Sequence, residues 1–169
     1  TSADRGVTFQ PANNGVRTYL TPYSIVVDPQ DDGTQYAATD AGGYKRVSGG
    51  AGWTPVFILG GTRDFALQPG NSSLVLAGVS ASRNGNPGIY RSTNGGGTWS
   101  SMNHPEFQAS TVLTHPAAPG VVYSFQNRVW KSVNNGQTWT ALGPPSFCCF
   151  GGDGDMVLET VLADEPQQL

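Results

Sequence analysis

The sequence is poor in charge and in long apolar runs, and each shortage excludes a class of protein. Charged residues make up 12% of the 169 positions, about half the share found in an average globular domain. This low charge, with a net value of −3, excludes a basic nucleic-acid-binding module and a charge-rich coiled coil. No apolar stretch reaches the roughly 18 residues that a membrane-spanning helix needs. We therefore expect neither a nucleic-acid partner nor a membrane span in this segment.

The sequence also lacks the motifs of cofactor and metal sites. No phosphate-binding loop and no dinucleotide motif occurs. The only cysteines, Cys148 and Cys149, are adjacent, and two readings of them stay open: a pair of half-buried thiols, or a strained vicinal disulfide. Two cysteines do not make a zinc site, and His104 and His115 lack the spacing of a metal-binding pair. We expect no cofactor and no metal.

Turn-forming residues are abundant instead. The chain has 23 glycines and 12 prolines, which together with the few charges favour an all-β chain of short strands. Aromatic residues make up 10% of the sequence, which argues against disorder. Five of the twelve acids lie in the last 17 residues, so residues 1–150 are close to neutral.

An eight-residue motif recurs along the chain. The copies at 92–99 and 132–139 read STNGGGTW and SVNNGQTW, the copy at 2–9 reads SADRGVTF, and a degenerate copy lies at 46–53. The fifth position is Gly6, Gly50, Gly96 and Gly136, at spacings of 44, 46 and 40 residues. That period suits a four-stranded propeller blade. Further matching positions are Ser2, Asp4, Phe9, Trp53, Ser92, Asn94, Thr98, Trp99, Ser132, Asn134, Thr138 and Trp139.

The residue types of the motif predict a tight hairpin. Asp or Asn at the third position accepts hydrogen bonds from backbone N–H groups across the turn. Glycine at the fifth position permits a positive φ. Thr and Trp then begin a returning strand, where β-branched and aromatic side chains pack well. We expect each Trp to be mostly buried near the junction with a neighbouring blade.

The motif resembles the Asp-box, also called the BNR or sialidase-type repeat, whose pattern is S-x-D-x-G-x-T-W. Proteins with this repeat include sialidases, xyloglucanase-type glycosidases, sortilin-type receptors and photosystem assembly factors. The resemblance covers essentially the whole chain and implies an all-β fold, a β-propeller of four-stranded antiparallel blades. It implies that the motif is a structural turn away from the ligand-binding face, and that the protein works outside the cytoplasm, secreted, periplasmic, lumenal or at the cell surface.

In such blades the motif joins the third and fourth strands, so the strands can be placed. We predict strands at 23–29, 34–40, 43–47, 52–57, 62–68, 73–80, 88–93, 98–102, 108–115, 120–126, 128–133 and 138–142, with lone strands at 7–10 and 156–163. The predicted units are the end of a blade at 1–10, blades at 11–57, 58–103 and 104–143, and a loop with the first strand of another blade at 144–169.

Propellers close with four to eight blades, whereas this chain has about three and a half. The sequence therefore predicts a partial arc of a larger propeller. The other blades would belong to the same polypeptide or to a partner chain.

The resemblance implies a ligand face built from the loops after the second and fourth strands of each blade. The acids eligible for catalysis there are Asp40, Asp64 and Glu106, because a glycosidase needs two carboxylates across a cleft. The candidate binding residues are Arg63, Arg83, Asn84, His104 and Asp153.

The sequence is compatible with two functions. The first is a non-catalytic propeller that serves as a binding or scaffold subunit of an extracytoplasmic assembly, with protein chains as partners. The second is a fragment of a carbohydrate-active glycoside hydrolase of the xyloglucanase type, with carbohydrate as its ligand. The R-I-P motif that the resemblance would require of a sialidase does not occur.

Overall fold

The computed structural model describes residues 1–57, 60–80, 86–106, 111–125 and 128–142. This part of the chain contains twelve strands and no helix. The strands are β1 (Pro22–Asp28), β2 (Asp31–Thr39), β3 (Gly42–Arg46), β4 (Thr54–Phe57), β5 (Thr62–Gln68), β6 (Asn71–Val79), β7 (Gly88–Ser92), β8 (Ser100–Ser101), β9 (Thr111–Thr114), β10 (Val122–Phe125), β11 (Val129–Ser132) and β12 (Thr140–Leu142).

The strands form three four-stranded sheets, each an antiparallel meander in chain order. We call them blade 1 (β1–β4), blade 2 (β5–β8) and blade 3 (β9–β12). The first strand of blade 2, β5, contacts both β1 and β9, so the first strands of the three blades lie side by side as the inner strands of a propeller. The chain is an all-β, partial propeller.

All twelve strands predicted within the three blades are present, in the predicted order and within about three residues of the predicted ends. The lone strand predicted at 7–10 is wrong. Residues 7–10 contain no strand, and Phe9 is 73% exposed, because none of the described strands lies beside this segment to complete a ladder. The strand predicted at 156–163 lies outside the described residues.

The core lies at the junctions between blades. Phe65 of β5 packs between blades 1 and 2 together with Tyr36, Phe57, Tyr90 and Trp99. The smaller cluster between blades 2 and 3 contains Leu76, Ile89, Val112 and Val122, with Trp139 packed against it. Each blade therefore buries one sheet face against the next, as stacked sheets do.

The repeated motif closes its hairpin in the same way in three copies. In blade 2 the Ser92 hydroxyl accepts from the N–H of Gly96 at 2.8 Å, and Asn94 Oδ1 accepts from the N–H of Thr98 at 2.8 Å. The copies at 2–9 and 132–139 repeat both hydrogen bonds. The fifth-position glycines Gly6, Gly96 and Gly136 have φ of 92°, 91° and 81°, which side chains with a Cβ rarely adopt.

The degenerate copy at 46–53 closes differently. The N–H of Gly50 donates to the carbonyl of Val47 at 3.1 Å, and the positive φ of 74° falls on Gly49. Trp53 is nevertheless only 8% exposed, so the aromatic position keeps its buried place even where the turn chemistry has changed.

Basic side chains connect each blade to the motif of the next. Lys45 Nζ of blade 1 donates to the carbonyl of Gly95 at 3.0 Å. Arg91 of blade 2 donates to the carbonyl of Asn135 at 3.3 Å. Gly95 and Asn135 are both the fourth residue of their motif, so one contact repeats at both junctions.

Candidate functional site

The loops after the second and fourth strands lie at one end of the propeller, where the inner strands begin. The antiparallel register sets this arrangement: the N–H of Asp40 donates to the carbonyl of Thr21 at 3.1 Å, and the N–H of Ser80 to that of Gly61 at 3.0 Å. The hairpins of the repeated motif lie at the opposite end. We call the first end the loop face; it comprises residues 21–24, 40–41, 60–64, 80, 102–106, 111–112 and 128–130.

Asp64 joins the inner strands of all three blades at the loop face. Its Oδ1 accepts from the hydroxyl of Ser24 in β1 at 3.2 Å and from its neighbour Phe65 N–H at 2.9 Å. Its Oδ2 accepts from the N–H of Val112 in β9 at 3.3 Å. A carboxyl with these partners holds neighbouring strand ends together.

The buried position of Asp64 also changes the pKa of its carboxyl. Burial raises the pKa of its carboxyl from 3.8 to about 6, and the hydrogen bonds from Val112, Ser24 and Phe65 only partly oppose that rise. Desolvation disfavours the charged form, which is the ordinary reason for such a shift. The pKa of the Asp64 carboxyl is therefore about 6, well above the ordinary value of 3.8.

Next to Asp64, two side chains turn out to solvent. The ladder between β5 and β6 shifts register between Thr62 and Asp64, and the β1–β2 ladder shifts between Pro22 and Ser24. Irregularities of this kind change the direction of side chains, and here they affect Arg63 and Tyr23. The guanidinium carbon of Arg63 lies 4.0 Å from the centroid of the Tyr23 ring. Arg63 Nε also donates to Ser80 Oγ at 3.2 Å. The exposed guanidinium is held in place on both sides.

Asp40 has a local role. Its Oδ1 accepts from the N–H of Thr21 at 3.0 Å, while the Asp40 backbone donates to the Thr21 carbonyl. The side chain therefore closes the loop between β2 and β3 against the start of β1.

His104 and Glu106 lie where blade 2 leads into blade 3. The imidazole packs edge-on against Trp139 and Trp130, with ring centroids 4.7 and 5.7 Å away. The N–H of Glu106 donates to His104 Nδ1 at 3.1 Å. The Glu106 carboxylate lies 3.7 Å from Arg128 Nε. Burial lowers the pKa of the His104 imidazole, against the opposing effect of Glu106, so the ring is neutral at pH 7.

This cluster is rich in buried N–H groups. No described residue accepts a hydrogen bond from the ring nitrogens His104 Nε2, Trp130 Nε1 or Trp139 Nε1. The equivalent Trp99 Nε1 of blade 2 donates to the carbonyl of Val56 at 2.8 Å. The junction between blades 2 and 3 therefore differs in polar chemistry from the junction before it.

The structure places the predicted acids against different partners: Asp40 against Thr21, Asp64 against three strand ends, and Glu106 against Arg128. Within the described ranges no three His, Cys, Asp or Glu side chains form a group that could hold a metal ion. No helix of the described chain is long and apolar enough to cross a membrane. The predicted residues that lie outside the described ranges are Arg83, Asn84, Cys148, Cys149 and Asp153.

Sequence reasoning missed Ser24, Arg128 and Trp130. Irregular ladder positions give no periodic signal, so nothing in the sequence indicated that Tyr23 and Arg63 meet across two blades. Arg128 and Trp130 did have a signal in the segment before a motif: Trp130 stands where the other blades have Tyr44 and Tyr90, and Arg128 stands where they have glycine.

Known proteins resemble this chain in structure, not in sequence. No protein-family model matches it, and no curated protein matches it. The GH74 xyloglucanase from Xanthomonas campestris superposes with a TM-score of 0.62 at 21% identity, over 77% of this chain and 21% of that one. YCF48 from Cyanidioschyzon merolae gives a TM-score of 0.58 at 16% identity, over 76% and 38%. YCF48 bound to D1 peptide gives 0.52 at 16%, over 82% and 48%.

The chain thus spans less than half the length of each of these proteins. At such identities the likeness concerns the fold alone, and the two kinds of neighbour, a hydrolase and a peptide-bound protein, do not share one activity. Together with the three four-stranded blades, the superpositions show that the chain has the fold of part of a β-propeller.

Proposed function

We propose that the chain is a non-catalytic β-propeller binding module whose loop face contacts another protein. We place it in an extracytoplasmic assembly and regard the repeated motif as an Asp-box, both on the sequence resemblance. The loop face has the ingredients of a protein contact: an exposed Arg63, a Tyr23 ring beneath it, and a rigid scaffold behind both.

The observation that carries this proposal is that the side chains of two consecutive residues, Arg63 and Asp64, point in opposite directions. The Asp64 side chain points inward, and its carboxyl oxygens accept hydrogen bonds from Ser24, Phe65 and Val112. Arg63 turns outward, ordered by Tyr23 and Ser80. A side chain fixed before binding loses less entropy on association, and Arg and Tyr are enriched among the residues that dominate protein interfaces.

A structural neighbour with a bound peptide, YCF48, supports the same proposal. YCF48 is described as bound to D1 peptide, so this fold accepts polypeptide ligands. For the present chain we propose a ligand with carboxylates, because the exposed group at the loop face is a guanidinium, which pairs with carboxylates in a bidentate manner.

A titration tests this proposal. Short acidic peptides and xyloglucan oligosaccharides are added in turn to isotope-labelled chain, and NMR follows the Arg63 Nε–H and the Tyr23 ring. We expect saturable shifts with an acidic peptide, weakened about tenfold, or 1.4 kcal/mol, in Arg63→Ala. Arg5→Ala, which removes an exposed arginine in the first motif and outside the loop face, is the control and leaves binding unchanged.

A glycoside hydrolase fragment is the second candidate. The GH74 xyloglucanase is among the structural neighbours, and the raised pKa of Asp64, about 6, is what a general acid needs. The hydrogen bonds that hold Asp64 between strands argue against this role. Saturable oligosaccharide shifts at Asp64, without any response to acidic peptides, would favour the hydrolase over the binding module.

A further inference from the structure

Two side-chain pairs lie next to each other across the first strands of blades 1 and 2 at the loop face. The hydroxyl of Ser24 donates to Oδ1 of Asp64 at 3.2 Å, and the guanidinium carbon of Arg63 lies 4.0 Å from the centroid of the Tyr23 ring. Both pairs fall where the ladders of these strands shift register. Because each pair consists of the sequence neighbours of the other, a movement of the Ser24–Asp64 pair also moves the Tyr23–Arg63 pair.

Ser24 differs from the other partners of the Asp64 carboxyl in its hydrogen-bonding chemistry. The backbone N–H groups of Phe65 and Val112 only donate, whereas a hydroxyl group both donates and accepts. An ionised Asp64 therefore accepts from all three groups. A protonated Asp64 has an O–H of its own, and Ser24 Oγ is the one described partner of the carboxyl that accepts it. The Ser24 hydroxyl thus reverses its direction when Asp64 gains a proton.

Few charged groups surround the Asp64 carboxyl. Strands β6 and β9, which lie against β5 together with β1 and β2, contain no acidic or basic residue. At the loop face β1 contributes the Tyr23 ring, and Asp40 accepts from the Thr21 N–H instead. The acids within β1 and β2 lie at the opposite end of these strands: Asp28, Asp31 and Asp32. Gain of a proton by Asp64 therefore leaves Arg63 without an adjacent negative charge.

We propose that Ser24 and Asp64 are positioning residues of the loop face, and that the proton of Asp64 sets how strongly Arg63 binds an acidic ligand. The ligand part of this inference rests on the proposed function, whereas the positioning part concerns contacts within the free chain. Burial raises the pKa of the Asp64 carboxyl to about 6. The change of state thus falls in a pH range in which the acids of a peptide stay ionised.

The direction of the effect follows from the charges. Above pH 6 the Asp64 carboxylate, one residue from Arg63, repels the carboxylates of a ligand, and below pH 6 this repulsion is absent. The affinity for an acidic ligand therefore rises as the pH falls from about 7.5 to about 5. By thermodynamic linkage, a bound acidic ligand raises the pKa of Asp64 further.

The first experiment needs no ligand. NMR follows the Asp64 side-chain carboxyl carbon, the Arg63 Nε–H and the Tyr23 ring of the labelled chain from about pH 4.5 to about pH 8. We expect all three signals to change with one common midpoint, at about pH 6. In Asp64→Asn the Arg63 and Tyr23 signals lose this step. Asp40→Asn, which removes the other acid beside the start of β1, is the matched control and keeps the step.

Substitutions at Ser24 separate positioning from charge. Ser24→Ala removes the hydroxyl while Asp64 keeps its carboxyl, so we expect the Arg63 and Tyr23 signals to leave their wild-type positions at every pH. Ser24→Thr keeps a hydroxyl and should restore both the positions and the common midpoint. Wild-type positions in a folded Ser24→Ala would overturn the role of Ser24.

The second experiment measures the regulation. The probe is a short peptide with two cysteic acids, whose sulfonates stay ionised at every pH used, so that only the chain titrates. We expect its dissociation constant to be about tenfold lower at about pH 5 than at about pH 7.5, which corresponds to about 1.4 kcal/mol. In Asp64→Asn the two dissociation constants should be equal.

Different results overturn the two parts of the proposal. Arg63 and Tyr23 signals of the free chain that do not follow the midpoint of Asp64 overturn the positioning role, whether or not the peptide binds. Peptide binding of equal strength at both pH values overturns the regulation and leaves the proposed function standing. Absence of peptide binding at either pH contradicts the proposed function and the regulation with it, while a common midpoint in the free chain still supports the positioning role.

Discussion

The junction between blades 1 and 2 and the junction between blades 2 and 3 share a backbone plan but differ in their side chains. In the first, the Phe65 ring lies against Gly43 so closely that a Cβ on this glycine has no room. In the second, Val112 occupies the position of Phe65 and Ile89 that of Gly43. A large residue thus faces a glycine in the first junction, whereas two aliphatic residues of similar size share the space in the second.

The repeated motif determines the turns, whereas the pair of facing residues determines how each junction is filled. Trp99 enters an aromatic cluster and finds a carbonyl acceptor. Trp139 enters a mainly aliphatic cluster beside His104, where no described residue accepts its N–H.

The largest effect is expected from Trp99→Ala, which should lower the free energy of unfolding by about 3–5 kcal/mol, as deletion of a packed indole does. Trp139→Ala should cost about 1 kcal/mol less, because it loses no described hydrogen bond. Urea unfolding of both variants measures the difference. Equal losses would show that the two junctions are energetically alike.

The pH dependence of stability should report on Asp64. Its pKa is about 6 in the folded chain and 3.8 ordinarily, so the unfolded chain binds fewer protons between these values. The free energy of unfolding therefore falls as the pH rises from about 4 to about 6, by up to about 3 kcal/mol. Urea unfolding at a series of pH values measures this fall.

Asp64→Asn is the control for that pH dependence, since it removes the titrating group. The difference in stability between wild type and variant should change across pH 4–6 and be constant above pH 7. His104 acts in the opposite sense, because its lowered pKa makes stability fall as the pH drops below 6.5. A wild-type minus Asp64→Asn difference without pH dependence would contradict the burial of this carboxyl.

The large–small pairing predicts a smaller, coupled effect. Gly43→Ala should cost about 1–3 kcal/mol through overpacking against Phe65. In the background Phe65→Val, which copies the blade 3 residue, the same substitution should cost less than about 0.5 kcal/mol. A double-mutant cycle by urea unfolding measures the coupling; additive losses would show that the two residues do not constrain each other.

The smallest effect is expected at the first motif. Phe9 occupies the aromatic position of the motif but is 73% exposed, so Phe9→Ala should change the free energy of unfolding by less than about 0.5 kcal/mol. Thermal unfolding beside Trp99→Ala gives the comparison. A loss above about 2 kcal/mol would indicate that Phe9 is covered in solution.

The sequence predicted the strands well because two regular signals coincide: alternation within strands and a motif of fixed chemistry every 40 to 46 residues. It failed at residues 7–10, where the motif forms its turn but no strand of the described ranges completes a ladder. The sequence indicated the loop face and named Asp64 as a candidate catalytic acid. It did not indicate the structural role of Asp64, because that role depends on Ser24 and Val112, which lie 40 and 48 residues away. Neither of these partners lies within a copy of the repeated motif.

We propose that Asp64 serves the structure of a binding module and not catalysis. Release of reducing ends from xyloglucan at pH 6, by wild type and by Asp64→Asn, tests it most directly. We predict no release above the buffer control by either protein, with a changed stability of the variant as the only effect. Release by the wild type that falls a hundredfold or more in a folded Asp64→Asn would contradict the claim and identify Asp64 as a catalytic acid.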